Sequence, residues 1–144
     1  MQVKTFYQLS HDELFQIFQT RVAVFVVEQA CAYQEVDEID KEADTLHVFS
    51  RQQGQLQAYA RCYKPDSASC AIGRVLVSAD CRGKGVAQTL MSSAIETCRS
   101  HYGQLPVKIA AQTYLTQFYQ SFGFEPSGEA YLEDGIEHID MILP

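Results

Sequence analysis

The chain has 144 residues, of which 47% are hydrophobic and 20% are charged, values typical of one globular domain with a buried core. Its net charge of −7 argues against general binding to nucleic acid or to an anionic membrane surface. No apolar run approaches the roughly 20 residues of a membrane-spanning helix, and the first residues lack the apolar core of a signal peptide. We therefore expect a single domain over residues 1–144 and a cytoplasmic location.

The cysteines lie at positions 31, 62, 70, 81 and 98. Their number is odd and no two form a Cys-x-x-Cys pair, which argues against a disulfide framework and a zinc ribbon. Most are predicted to be small buried hydrophobic residues, and no metal site is expected.

The first half of the chain predicts one helix among short strands. A strand is predicted over residues 3–8. Ser10 begins a capping box, and apolar residues at helical spacing continue a helix to about Val27. Residues 30–44 lack periodicity and predict a long, irregular or partly helical loop. Residues 46–63 predict a β-hairpin around a glycine-containing turn.

The second half alternates strands and helices. Residues 70–78 form a largely apolar run that predicts a buried strand. A helix over 85–99, a short central strand over 107–111 and a helix over 113–122, stopped by Gly123, follow. The last strands are predicted around Phe124 and Tyr131 and over residues 138–143. This order predicts a mixed α/β fold with antiparallel hairpins first and strand–helix crossovers later.

The predicted loop 30–44 carries most of the negative charge. Its charged residues from position 35 onward are Glu35, Asp37, Glu38, Asp40, Lys41, Glu42 and Asp44. Six acids against one lysine give −5 of the net −7. Such a run is usually a solvated loop; the alternative is a cation-attracting rim beside a site.

A glycine-bearing turn connects the strand 70–78 to the next helix. Its residues are Arg82-Gly83-Lys84-Gly85-Val86-Ala87. Free backbone N–H groups and the helix dipole attract anions at a helix start. Gly83 and Gly85 would let a pyrophosphate approach the main chain, Arg82 and Lys84 add positive charge, and the small Ala87 keeps the first turn slim. The turn therefore predicts a phosphate-binding loop.

Two common phosphate motifs do not fit this loop. A Walker-A loop requires Ser or Thr after Gly-Lys, and here Gly85 follows Lys84. A dinucleotide-binding fingerprint requires a third small residue at position 88, which is Gln88, and a place near the start of a βαβ unit. A different kind of phosphate cradle remains.

Two motifs resemble the GCN5-related N-acetyltransferase (GNAT) superfamily. The residues Arg82-x-x-Gly85-x-Ala87 resemble its Arg/Gln-x-x-Gly-x-Gly/Ala signature. A downstream segment resembles its Asn-x-x-Ala-x-x-Phe-Tyr-x-x-x-Gly-Phe pattern at Gln112, Leu115, Phe118, Tyr119, Gly123 and Phe124, with Gln112 and Leu115 replacing the commonest residues. Residues 21–29 and 33–37 resemble the ElaA-like branch of this superfamily, and the order of elements matches over nearly the whole chain.

The resemblance implies a fold and a reaction. The fold would be a mixed sheet with antiparallel N-terminal strands and a central splayed parallel pair, flanked by helices. The main chain of Leu76 and Val77 would bind the pantetheine arm of acetyl-CoA, residues 82–87 its pyrophosphate, and Gln112 would contact the acyl-CoA. An amine, on a small molecule or a peptide, would attack the thioester directly in a ternary complex. The acidic segment from Glu35 to Asp44 adds the expectation of a cationic acceptor. A homodimer is also expected, since dimers are common in this family.

The reaction requires an acid and a base. A departing thiolate of pKa about 8.5 can take a proton from a tyrosine of pKa about 10, and Tyr119 stands where the family places this acid; alternatively, it only packs beside Phe118. The base candidates are Glu28, Glu35, Asp37, His47 and His138. Glu28, at the end of an apolar helix, and His138 are put forward among them. A non-catalytic acyl-CoA sensor is the alternative function.

Overall fold

The computed structural model describes all 144 residues. Its strands are β1 (Gln2–Lys4), β2 (Leu46–Gln52), β3 (Gln55–Tyr63), β4 (Cys70–Val77), β5 (Val107–Gln112), β6 (Glu125–Pro126), β7 (Tyr131–Glu133) and β8 (Ile136–Leu143). Its α-helices are α1 (His11–Arg21), α2 (Val86–Tyr102) and α3 (Thr116–Gln120). The strands form one sheet in the order β1-β2-β3-β4-β5-β8-β6, and β7 also pairs with β8.

The amino-terminal helix forms as its capping residues predict. The Ser10 hydroxyl accepts from the Glu13 N–H at 3.0 Å, and the Glu13 carboxylate accepts from the Ser10 N–H at 2.8 Å. Beyond Arg21 the helix continues as a π-helix over Val22–Glu28. The predicted extent to about Val27 is therefore confirmed, but the last turns are wider than those of an α-helix.

The other predicted elements are confirmed with shifts at their ends. The first strand stops at Lys4 because Phe6–Gln8 forms a 3₁₀ turn. The loop 30–44 contains a short 3₁₀ helix, Glu38–Lys41, and the predicted helix 113–122 begins as 3₁₀ before α3.

The sheet opens between its two central strands. β4 and β5 are parallel but pair only at Cys70↔Val107 and Ala71↔Lys108. Beyond these residues β5 pairs with β8 on its other side as far as Gln112. The later half of β4 therefore faces a wedge-shaped cleft, and the predicted splayed parallel pair is confirmed.

The core lies on both faces of the sheet. One cluster packs α2 and α3 against the sheet and includes Ala58, Ala60 and Leu90. A smaller cluster beneath α1 includes Ile17 and Tyr59. Because successive strand residues face opposite sides, the alternation of Ala58, Tyr59 and Ala60 places the two clusters on opposite faces.

The cysteines contribute to this core. All five are free, and four of them are buried, which confirms that most behave as small apolar residues. None of the helices combines the length and the apolar character required to cross a bilayer.

Candidate active site

The predicted phosphate-binding loop lies at the open end of the cleft. Gly83 and Gly85 have φ values of 76° and 77°, in the left-handed region that favours glycine. A Cβ on either glycine would meet no atom within 4 Å, so their backbones face open space. The loop and Phe118 line a pocket of about 410 Å³. The backbone at the start of α2 is therefore accessible to an anion.

Arg82 is held by two neighbours at this loop. Its Nε donates to the carbonyl oxygen of Val77 at 3.0 Å, and its Nη2 donates to the Glu28 carboxylate at 3.1 and 3.2 Å. The ion pair is about half exposed. Glu28 therefore lies beside the phosphate-binding loop.

Tyr119 lies in the core with its ring edge-on to Phe118 and Phe124. The residue is 7% exposed, and its hydroxyl has no hydrogen-bond partner in the protein. Burial, and then the nearby Tyr114, raise the pKa of Tyr119 to about 12. Its phenol is therefore protonated at neutral pH and has a proton to donate.

His138 lies on β8, directly opposite Gln112 at the end of β5. Its Nδ1 is 2.7 Å from the carbonyl oxygen of Ile136, and its ring stacks on Tyr131. Because a carbonyl oxygen only accepts, Nδ1 is the donor in this contact. Nε2 lies 3.8 Å from the Glu133 carboxylate and makes no hydrogen bond to the protein. Gln112 donates to Gln29, just beyond the π-helix, at 3.3 Å.

The acidic segment is divided between buried ion pairs and exposed side chains. Glu35 and Asp40 are 3% and 1% exposed, and both accept from the fully buried Arg21, at 2.8 and 2.6 Å. Arg61 binds Asp37 at 2.7 Å and Asp40 at 3.0 Å. Together with Arg74, these residues form a buried ion network with three positive and three negative side chains. The three other acids of the segment, Glu38, Glu42 and Asp44, are exposed. The segment is therefore only partly a solvated loop, and its three paired acids do not form a free cation-attracting rim.

The network also fixes the protonation of its members. Burial opposes the ionisation of Asp40, but the hydrogen bond and the charge of Arg21 outweigh it, so the pKa of Asp40 lies below its ordinary value. Burial lowers the pKa of His47, whose ring contacts the Tyr59 hydroxyl at 2.6 Å and the Asp40 carbonyl at 2.9 Å. Neither Glu35 nor His47 is accessible enough to deprotonate an acceptor.

Arg74 completes the network at the edge of the cleft. It is in a β-bulge of β4, three residues beyond the last residue paired with β5, and its φ is 54°. Its Nε donates to Glu35 Oε2 at 2.7 Å, and its guanidinium lies 5.5 Å from the centre of the Tyr33 ring. The Tyr33 hydroxyl also donates to Glu35.

Sequence reasoning missed the three arginines of this network. A signal was present, because Arg61 lies between Ala60 and Cys62 in an apolar strand. A buried guanidinium requires carboxylate partners, and the acidic segment was the nearest source of them.

The chain is similar to known acyltransferases over nearly its full length. Residues 10–144 match the family model described as an acetyltransferase (GNAT) domain. Protein ElaA of Escherichia coli is 48% identical over 136 residues, which cover 93% of this chain and 89% of ElaA. The crystal structure of Escherichia coli ElaA has a TM-score of 0.95 at 45% identity, covering 99% of this chain and 98% of that one.

A second solved structure has the same fold. It is an acyl-CoA N-acyltransferase from Pseudomonas aeruginosa, with a TM-score of 0.95 and 39% identity, and the match covers 99% of this chain and 97% of that one. The splayed strands and the glycine-bearing loop agree with these matches. The chain therefore belongs to the GNAT acetyltransferase family and to its ElaA-like branch.

Proposed function

We propose that this protein transfers the acetyl group of acetyl-CoA to an amine by direct attack within a ternary complex. One observation carries the proposal: a single strand, β4, has an open edge along the cleft and leads, through a 3₁₀ turn at Ala79–Cys81, into the phosphate-binding loop. A coenzyme bound along β4 would have its pyrophosphate at the loop and its thioester where the strands separate.

The coenzyme contacts follow from this placement. Backbone N–H groups of residues 82–87, including Val86 and Ala87 in the first turn of α2, would bind the pyrophosphate, and the exposed Lys84 adds charge. Leu76 and Val77 would offer main-chain groups to the pantetheine arm. Arg82 now occupies the carbonyl of Val77, so this side chain has to turn towards the phosphates when the coenzyme binds.

Tyr119 is the proposed acid. Its hydroxyl has no partner in the protein, and its pKa of about 12 keeps it protonated. As the amine nitrogen forms its bond to the acetyl carbon, the carbon–sulfur bond breaks, and the departing thiolate takes the Tyr119 proton to leave as CoA-SH.

His138 is the better supported of the two candidate bases. In the neutral ring, Nε2 makes no hydrogen bond to the protein and would accept the proton that the attacking amine loses, directly or through water. The Glu133 carboxylate, 3.8 Å from Nε2, would stabilise the imidazolium that results. Glu28 is paired with Arg82 beside the phosphate-binding loop, and this anionic end of the coenzyme is a poor place for the acceptor. The acceptor itself is proposed to be an amine on a small molecule or a peptide.

Two further expectations belong to this proposal. Five free cysteines suit a reducing compartment such as the cytoplasm. A homodimer stays a prediction from the family resemblance.

The proposal is tested by following CoA thiol release from acetyl-CoA with a panel of amines, together with calorimetric titration of acetyl-CoA. Transfer predicts acceptor-dependent thiol release and a stoichiometric acetylated amine by mass spectrometry. Tight acetyl-CoA binding with no thiol release from any amine would instead indicate an acyl-CoA-binding sensor.

A further inference from the structure

Two arginines hold the same glutamate in the same way. Arg21 and Arg74 each donate from Nε to Oε2 of Glu35, at 2.8 and 2.7 Å. Each also donates from Nη2 to the backbone oxygen of Glu35, at 2.8 and 3.1 Å. Glu35 therefore binds the same side of both guanidinium groups.

The two arginines differ in what binds the other edge of the guanidinium, which is formed by Nη1 and Nη2. In Arg21 this edge binds the carboxylate of Asp40, with Nη1 to Oδ1 at 2.6 Å and Nη2 to Oδ2 at 3.2 Å. In Arg74, Nη1 makes no hydrogen bond to the protein, and Nη2 bonds only to the Glu35 backbone oxygen. Oδ2 of Asp37 lies 3.6 Å from Nη2, an ion pair longer than a hydrogen bond, while Oδ1 of Asp37 is held by Arg61.

The free edge of Arg74 is accessible and fixed in place. The side chain is 22% exposed, whereas Arg21 is fully buried. Glu35 and the Tyr33 ring hold the guanidinium of Arg74, so a ligand would lose little side-chain freedom in binding it. A planar edge with two parallel N–H donors matches a carboxylate.

We infer that Arg74 binds a carboxylate of the acceptor, and that the acceptor class is an amine that also carries a carboxylate, as an amino acid does. This inference rests on the proposed acetyl transfer, since Arg74 lies where β4 separates from β5 and where the thioester would lie. Asp37, 31% exposed and next to Arg74, can accept from the ammonium group of the same acceptor. The three arginines and three carboxylates balance, so the ion network itself presents no net negative charge to an incoming carboxylate.

The test uses acceptor pairs that differ only in the carboxylate. Glycine, alanine and phenylalanine are compared with their α-carboxamides in the thiol-release assay. The amine of an amide is less basic, so intrinsic reactivity at neutral pH favours the amide. We nevertheless expect kcat/KM to be roughly 10–100-fold higher for the amino acid, the range for hydrogen bonds to a charged group. Equal use of both members of each pair would overturn the inference and leave the proposed acetyl transfer standing.

Arg74→Gln is expected to abolish this preference, and Arg74→Lys to restore only part of it, because lysine has no paired N–H edge. Glu35 keeps Arg21 and Tyr33 as partners, so neither variant leaves a buried carboxylate unpaired. Arg51→Gln is the matched control: Arg51 is a surface arginine paired with Asp12, and its loss should leave the preference unchanged. A preference that persists in Arg74→Gln would overturn the assignment.

A binding measurement separates this inference from the proposed function. The Nε–H resonance of Arg74, identified by its loss in Arg74→Gln, is followed in the CoA complex while alanine or alaninamide is added. A shift of this resonance with alanine but not with alaninamide supports the carboxylate site. If no amine then gives thiol release, that absence of release refutes the acetyl transfer and not the carboxylate site. No shift with alanine would overturn the inference.

Discussion

Arg21 is the member of the buried ion network whose replacement most directly tests how the network stabilises the fold. It is fully buried, and its guanidinium donates to Glu35 and Asp40. Methionine at this position matches the aliphatic part of the arginine side chain and carries no charge. Arg21→Met would leave Glu35 with Arg74 and Tyr33, and Asp40 with Arg61.

The size of the effect follows from these remaining partners. Removing one partner of a buried ion pair destabilises a protein by about 3–5 kcal/mol. Since both carboxylates keep another arginine, we expect the lower end, about 3 kcal/mol. For a chain of this length, that corresponds to a fall in Tm of roughly 6–12 °C.

The assay is urea unfolding followed by circular dichroism, at neutral and at acidic pH. The control is Arg51→Met, which removes an arginine that is 25% exposed and paired with the exposed Asp12 at 2.9 Å; such surface pairs contribute about 0–1 kcal/mol. Arg51 also lies 3.8 Å from the buried Glu13, which keeps Lys4 at 3.0 Å as its partner. A loss of stability in Arg21→Met no larger than in the control would refute the role given to the network.

The pH dependence gives a second check. Because the pKa of Asp40 is lowered in the folded state, its ionic contribution is present above the unfolded pKa of about 3.9. It is lost as the pH falls through the lower folded value. The difference between wild type and Arg21→Met should therefore narrow in acid, and a constant difference would contradict the assigned ion pair.

Three further predictions concern the site. Gly85→Val puts a β-branched side chain at φ 77° and into the loop pocket, so acetyl-CoA binding, measured by calorimetry, should be lost. The control is Gly54→Val, at φ 76° in the distant hairpin turn. Unchanged affinity in Gly85→Val would refute the loop assignment. Tyr119→Phe should lower kcat by about 10²–10⁴ with acetyl-CoA affinity retained, whereas a full rate would mean that Tyr119 only packs. Glu28→Gln removes only an exposed ion pair, so acetyl-CoA affinity should change by at most about fivefold. His138→Gln should lower kcat by about 10²–10⁴; a loss of kcat in Glu28→Gln with a full rate in His138→Gln would make Glu28 the base.

The coenzyme half of the site could be predicted because its determinants are local. The two glycines, the basic residues and the start of α2 lie within the six residues Arg82 to Ala87. Gly83 and Gly85 have the left-handed backbone that their spacing suggests. The resemblance to the GNAT family then supplied the splay between β4 and β5, which no local pattern indicates.

The acceptor half could not be predicted in the same way, because its contacts join distant parts of the chain. Glu35 meets Arg21 across 14 positions and Arg74 across 39. An acidic run has the same composition whether it is solvated or buried, and only the positions of the arginines on other elements decide between the two. The one local signal of the β-bulge that turns Arg74 towards Glu35 is Gly73 directly before it, because an isolated glycine inside a strand often marks a bulge.

The π-helix explains how one amino-terminal helix reaches both halves. Seven residues of an α-helix turn through about 700°, which would return Glu28 to nearly the face of Arg21. Here the N–H groups of Gln29 and Cys31 bond to carbonyls five residues earlier, at 3.2 and 3.1 Å. Each such turn takes in one more residue, so the same seven residues turn through less. Arg21 therefore stays in the buried ion network while Glu28 turns aside to Arg82, whereas a regular α-helix would direct both side chains to nearly the same face.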